Sequence, residues 1–203
     1  MSDDTKDSGD TGKPNNVIGI NAGSGKDQPS LLLQLERARF ERALEVLESL
    51  VEHRALLTTT ELARINHIVI GVKHDPNSQE NPWRQDIITL ELPSGRTETM
   101  NLIENPVFAL RDQLHRTTER SEAGDSIEAA IDLYVWMVKA HAFKEGNRRT
   151  AVLATLYFLQ RYGHAISGIA LHEVGLGDVR DPTQREALKE MITQMSRFAS
   201  KRG

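Results

Sequence analysis

Residues 141–151 read HAFKEGNRRTA: one histidine, one acid, one glycine, one asparagine and two arginines within eleven positions. Apolar chain lies on both sides. Upstream, GDSIEAAIDLYVWMVKAHAF (124–143) has helical spacing, with Ile127, Ile131, Tyr134, Val135 and Val138 as the buried stripe and Asp125 or Ser126 as the cap. Downstream, TAVLATLYFLQRYG (150–163) is a strongly apolar helix that starts near Asn147 and that Gly163 can end. The polar stretch is thus a turn between two core helices.

The first backbone N–H groups of the second helix have no partner within it and face the turn. Gly146 allows a tight fold and a close approach of a ligand. The helix end carries partial positive charge, so the turn suits an anion, phosphate above all. Arg148 and Arg149 oppose the helix dipole unless a polyanion stands before them, and a guanidinium matches phosphate oxygens in pairs. A carboxylate beside phosphates, here Glu145, calls for a cation, and Mg²⁺ is the natural one. His141 ends the preceding helix, where its role beside a phosphate centre is general base on an incoming hydroxyl. Phe143 should point into the core and fix the turn. A plainer arrangement suits the same side chains: His141 as a helix C-cap, with Glu145 and the arginines pairing at the surface. Taken one by one, the residues leave both open.

Working outward, SLLLQLERARFERALEVLESLVEH (30–53) is an amphipathic helix with Leu32, Leu35, Phe40, Leu44, Leu47, Leu50 and Val51 on its apolar face. A second helix follows from Thr60, with Thr58, Thr59 and Thr60 as cap candidates. KHDPNSQENPWRQ (73–85) is loop by composition. DIITLELPSGRTETMNL (86–102) reads as a β-hairpin around Pro93-Ser94-Gly95-Arg96. A third helix follows Pro106, and a last one starts at Asp181-Pro182. HAISGIALHEVGLG (164–177) reads as loop, with His164 and His172 as surface histidines. Trp136 and Tyr157 read as core, and RFASKRG (197–203) as a solvated basic tail.

Residues 1–29 are rich in Gly, Asp, Ser, Asn and Lys and should form a disordered tail, leaving 30–203 as one helical domain. Within the tail, VIGINAGSGKD (17–27) is not a phosphate-binding loop: Ile20 stands where that motif needs glycine, and Asp27 where it needs a hydroxyl. Of the 203 residues, 38% are hydrophobic and 27% charged, and the net charge is −4. This points to a soluble cytoplasmic protein without the basic excess of a nucleic-acid binder. The chain has no cysteine, hence no disulfide framework or thiolate metal site. No apolar run is long enough for a membrane span.

HAFKEGNRRTA resembles the signature of the Fic/Doc family, His-x-Phe-x-(Asp/Glu)-Gly-Asn-x-Arg, at His141, Phe143, Glu145, Gly146, Asn147 and Arg149. The resemblance implies a mainly α fold, a helical bundle with one small β-hairpin flap, and 86–102 supplies that hairpin. NPWRQ (81–85) resembles the arginine-bearing segment that precedes the flap. The family further implies a transferase that moves AMP from ATP to a Ser, Thr or Tyr hydroxyl of a target protein. By that analogy His141 deprotonates the hydroxyl and Glu145 helps to hold Mg²⁺. Asn147 and the amides of Gly146, Asn147 and Arg148 bind phosphate, and Arg149 stabilises the charge. The hairpin would align the protein substrate by strand addition.

Two positions depart from the AMP-transferring pattern: Arg148 stands where that pattern has glycine, and Val152 where it has a second arginine. The Doc branch departs similarly, so NRRTAV resembles a toxin-type phosphoryl transferase, with Arg148 as a phosphate holder. The self-restraining motif Ser/Thr-x-x-x-Glu-Gly/Asn is absent. Its nearest match, TETMNLIEN (97–105), has Met100 at the Ser/Thr position. Restraint would then fall to a separate protein, such as an antitoxin. A competing expectation is a non-catalytic domain that keeps the turn as a nucleotide-binding site.

Overall fold

In the computed structural model, residues 31–72, 81–91, 95–173 and 181–200 are described. They form helices α1 (Leu31–Glu52), α2 (Thr59–Ile70), α3 (Pro106–Glu122), α4 (Ser126–Ala140), α5 (Asn147–Arg161), α6 (Gly168–Glu173) and α7 (Pro182–Ser200), with strands β1 (Ile88–Glu91) and β2 (Thr97–Met100) between α2 and α3. The fold is therefore mainly α with one small hairpin, as the sequence implies. The expected tail and the glycine-rich stretch 17–27 lie outside the described residues, as do turn residues 92–94.

Helix α5 is the centre. Residues 151–159 are buried without a break, so this helix is apolar on every side rather than on one stripe. It packs against α4, α1, α2 and α6. Val152 is 2% exposed and belongs to the main apolar cluster. The starts of α2, α3 and α7 carry side-chain caps, whereas Asp125 at the cap position of α4 makes no such bond. The Thr58 hydroxyl accepts from Glu61 N, and the Asn105 side chain from Phe108 N with Pro106 in the first turn. Asp181 accepts from Thr183 N ahead of α7. Gly163 takes a left-handed φ of +89° just past α5. Strands β1 and β2 pair antiparallel, with Ile88 opposite Met100 and Glu91 opposite Thr97.

The structure departs from the sequence reading in three places. Leu32 and Leu35 were expected inside, but they are 63% and 45% exposed, and Leu31 and Leu33 are exposed beside them. The apolar face of α1 meets its neighbours only from Phe40 onward, where Phe40, Ala43, Leu44 and Leu47 are buried. The loop expected at 164–177 contains the short helix α6, whose Leu171 is buried and whose His172 stacks on Phe40 at 4.1 Å. Trp136 is only half-buried, whereas Tyr157 is 1% exposed as expected.

Candidate active site

The turn between α4 and α5 is built from both sides. Helix α4 stops at His141, which takes a left-handed backbone (φ +48°, ψ +48°) while its N–H still bonds Met137 O. A non-glycine residue there costs roughly 1–2 kcal/mol, so the position is held against local preference. The imidazole Nδ1 lies 3.3 Å from Val138 O. A carbonyl only accepts, so Nδ1 carries the proton and the neutral ring has its lone pair on Nε2.

Phe143 points inward and is 1% exposed, as expected. Its ring stacks on Trp83 at 4.7 Å. The backbone on either side pairs with the segment before the hairpin: Arg84 N donates to Ala142 O at 2.8 Å and Lys144 N to Pro82 O at 2.9 Å. Arg84 is itself buried at 7% exposure. Its guanidinium donates to His141 O (2.8 Å), Asp86 O (2.8 Å), Met100 O (2.8 Å), Asn101 O (2.6 Å) and Ala140 O (3.3 Å). One side chain thus ties the C-terminal carbonyls of α4 to the root of the hairpin, and its charge complements that helix end.

Helix α2 supports the other side. Asn66, 1% exposed, donates from Nδ2 to Glu145 O (2.8 Å) and to the Thr150 hydroxyl (3.1 Å). Gly146 then turns the chain into α5 with φ +69°, and a Cβ there would stand 2.8 Å from Ile70 Cγ2 and 3.0 Å from Asn66 Nδ2. Both the backbone angle and the close approach of α2 require glycine. Asn147 is 5% exposed, and both ends of its amide serve the turn: Oδ1 accepts from Phe143 N and Nδ2 donates to Phe143 O, each at 2.9 Å. The Asn147 side chain thus braces the turn, with its carbonyl oxygen and one amide N–H both used on Phe143.

The start of α5 is bare of capping side chains. Its first turn holds no acid, and its first internal bond is Thr150 N to Gly146 O. At α4, which also lacks a side-chain cap, Asp125 bonds Arg120 instead. The α5 start, without a side-chain cap and flanked by two arginines, suits an anion. Arg148 is exposed and hydrogen-bonds the Tyr134 hydroxyl; burial pushes that phenol above its ordinary range, and Arg148 opposes the shift. Arg149 is turned toward α1 and α2, 3.4 Å from both Glu36 Oε1 and Val69 O. The Glu145 side chain is exposed and makes no ion pair among the described residues.

The described residues hold no cluster of three or more metal-ligating side chains. A lone exposed carboxylate beside an anion-receptive helix end still fits Mg²⁺, which usually keeps several waters and takes one or two carboxylates along with substrate phosphates. His164 and His172 do not join this site. His164 bonds Ser126 and Ser196, and His172 stacks on Phe40. The sequence reading missed Asn66 and left the part played by Arg84 unread. For Arg84 the only local signal was its place in NPWRQ, and for Asn66 there was none.

A family model described as Fic/DOC family matches residues 56–159, about half of the chain. The chain is also similar to the crystal structure of a Fic domain containing signaling protein from Bacteroides thetaiotaomicron. The TM-score is 0.55 and the identity 18%, over 87% of this chain and 70% of that one. Similarity to Fic-1 from C. elegans has a TM-score of 0.52 and 18% identity, over 89% of this chain and 56% of that one. At this identity the two structures speak for the fold. No curated protein matches the chain.

Proposed function

The chain belongs to the Fic/DOC family, and on that premise we propose that it is a nucleotide-dependent transferase that moves AMP from ATP to a Ser, Thr or Tyr hydroxyl of a target protein. The observation that carries this reading is the pairing of two features at one turn. One is the uncapped N-terminus of α5. The other is His141 at the end of α4, with Nδ1 facing Val138 O. One receives phosphate; the other takes a proton.

In this reading the target hydroxyl attacks the α-phosphorus of ATP. Its proton passes to His141 Nε2, the new O–P bond forms, the bond to the bridging oxygen breaks, and pyrophosphate leaves. Donation from Nδ1 to Val138 O holds the ring in the tautomer that accepts at Nε2. The backbone N–H groups at the start of α5 bind phosphate oxygens, and Arg149 stabilises the charge that develops there, exchanging or sharing Glu36. Mg²⁺, held by Glu145 together with the phosphates, would neutralise phosphate charge. Arg84 acts on none of the reacting atoms; it sets the hairpin against the end of α4. Among the described residues β1 and β2 pair only with each other, and the target segment would add along an outer strand edge.

A specific observation favours a second reading, transfer of the γ-phosphoryl group with ADP leaving. Arg148 projects from the first turn of α5 where AMP-transferring relatives have glycine, and position 152, their second arginine, is a buried valine inside the core. ATP labelled at the α- or the γ-phosphorus separates the two. AMP transfer labels the target from the α-position and adds about 329 Da; phosphoryl transfer labels it from the γ-position and adds about 80 Da. A domain that only binds nucleotide would give neither product.

A further inference from the structure

At the opposite end of α5, a cavity of about 280 Å³ lies between the start of α2, the middle of α3 and the last turns of α5. Tyr157 is ten residues beyond Asn147, so the cavity stands about 15 Å along the helix from the phosphate-receptive turn. Its walls are mixed. Leu57, Leu114 and Phe158 make an apolar floor, and Arg111 and Arg161 bring two guanidinium groups to its lining. Neither arginine has a carboxylate partner among the described residues. Arg111 rests over the Phe108 ring at 5.0 Å, and Arg161 over the Tyr157 ring at 5.9 Å. By contrast Arg116 pairs with Asp112, Arg120 with Asp125 and Asp132, and Arg185 with Glu128 and Asp132. Of the acids beside the lining residues of α3, Asp112 pairs with Arg116 and Glu119 lies 3.5 Å from His115.

Two guanidinium groups without a carboxylate partner among the described residues favour an anion, and the apolar residues beside them favour removing hydrocarbon from water. We propose that this cavity is a second ligand site, for a small carboxylate with an apolar body. The carboxylate would accept from Arg161 and Arg111, and the aliphatic or aromatic part would lie on Leu57, Leu114 and Phe158. The volume equals about nine liquid waters, which fits a body of one ring or a short chain. A planar carboxylate suits the guanidinium fork better than a neutral amide does.

The test is calorimetric titration of the full chain with sodium 3-phenylpropionate and with 3-phenylpropionamide. Saturable binding of the carboxylate is expected, at least about tenfold tighter than the amide. Arg161→Gln should weaken carboxylate binding by about tenfold or more and leave the amide unchanged, and Thr118→Phe should block both by filling the cavity. Excess ATP should not displace the probe, since the two sites are separate. Circular dichroism and melting of each variant confirm that it is folded. The proposal is overturned by no detectable binding to the folded chain, by equal affinity for carboxylate and amide, by carboxylate binding that survives Arg161→Gln, or by displacement with ATP.

Discussion

At the scale of single residues, the turn is held by side chains that spend their polar groups on backbone, and His141 is the residue that local energetics would not choose. Its φ of +48° belongs to glycine at a helix end. If its role is proton transfer and not capping, His141→Gly should keep or raise stability, by up to about 1 kcal/mol, while transfer is lost. Chemical denaturation measures the first and product mass the second; a clear loss of stability would show that the imidazole is structural. Asn147 teaches the converse. The family signature makes it a ligand residue by resemblance, and its amide also bonds Phe143 N and O. Nothing in the sequence order of HAFKEGN distinguishes an amide that faces a ligand from one that faces its own turn. That distinction arises only once Gly146 has bent the chain.

At the scale of elements, the helices and several of their starts were legible because their signals are local: apolar spacing, Thr58, Pro106, Asp181 with Pro182. What was not legible joins distant positions. Arg84 reaches carbonyls 56 and 57 residues away, and Asn66 meets Glu145 and Thr150 across 79 and 84 residues. No periodicity carries such pairs. Arg84 also ties the two-stranded hairpin to the end of α4. Arg84→Ala should cost about 3–5 kcal/mol, because it leaves buried carbonyls without donors. Arg84→Lys should recover less than half of that, since one ammonium cannot reproduce the fork. Urea titration gives the cost. Hydrogen exchange should show faster amides in 88–100 than in α5, and equal stability of the lysine variant and the unmodified chain would contradict the arrangement.

At the scale of the whole molecule, α5 is wrapped on all sides, and polar contacts fasten the later helices around it. Glu128 is held below the usual carboxylate range by Lys189 and Arg185 against the opposing effect of burial. Burial pushes Asp132 up, but hydrogen bonds from Arg120 and Arg185 outweigh it and leave it lowered. These acids stay charged until pH falls below the ordinary range near 4, so they do not titrate at mildly acidic pH. His164 does. It links Ser126 at the start of α4 to Ser196 in α7, and burial lowers its pKa. The unfolded imidazole titrates near 6.5; below that value the unfolded state binds more protons, so the stability from His164 is complete above it and declines as pH falls toward the folded pKa. The melting temperature should therefore drop between about pH 7.5 and pH 5.5, and His164→Asn should flatten that slope. An unchanged slope would place the titration elsewhere. The length of α1 was legible, but the exposure of Leu31–Leu35 was not: an apolar repeat says which face is sticky, not whether the rest of the molecule extends far enough to cover it. The same limit applies to α6, whose six residues are too few for a periodic signal.

The central claim is that His141 performs the chemistry at a turn whose other half binds the nucleotide. It is tested most directly by measuring transfer rate and ATP affinity on the same preparation of His141→Ala. The account predicts a fall in transfer of about 10²–10⁴-fold with ATP affinity, in the presence of Mg²⁺, essentially unchanged. Undiminished transfer, or ATP affinity lost along with it, would contradict the assignment of the base.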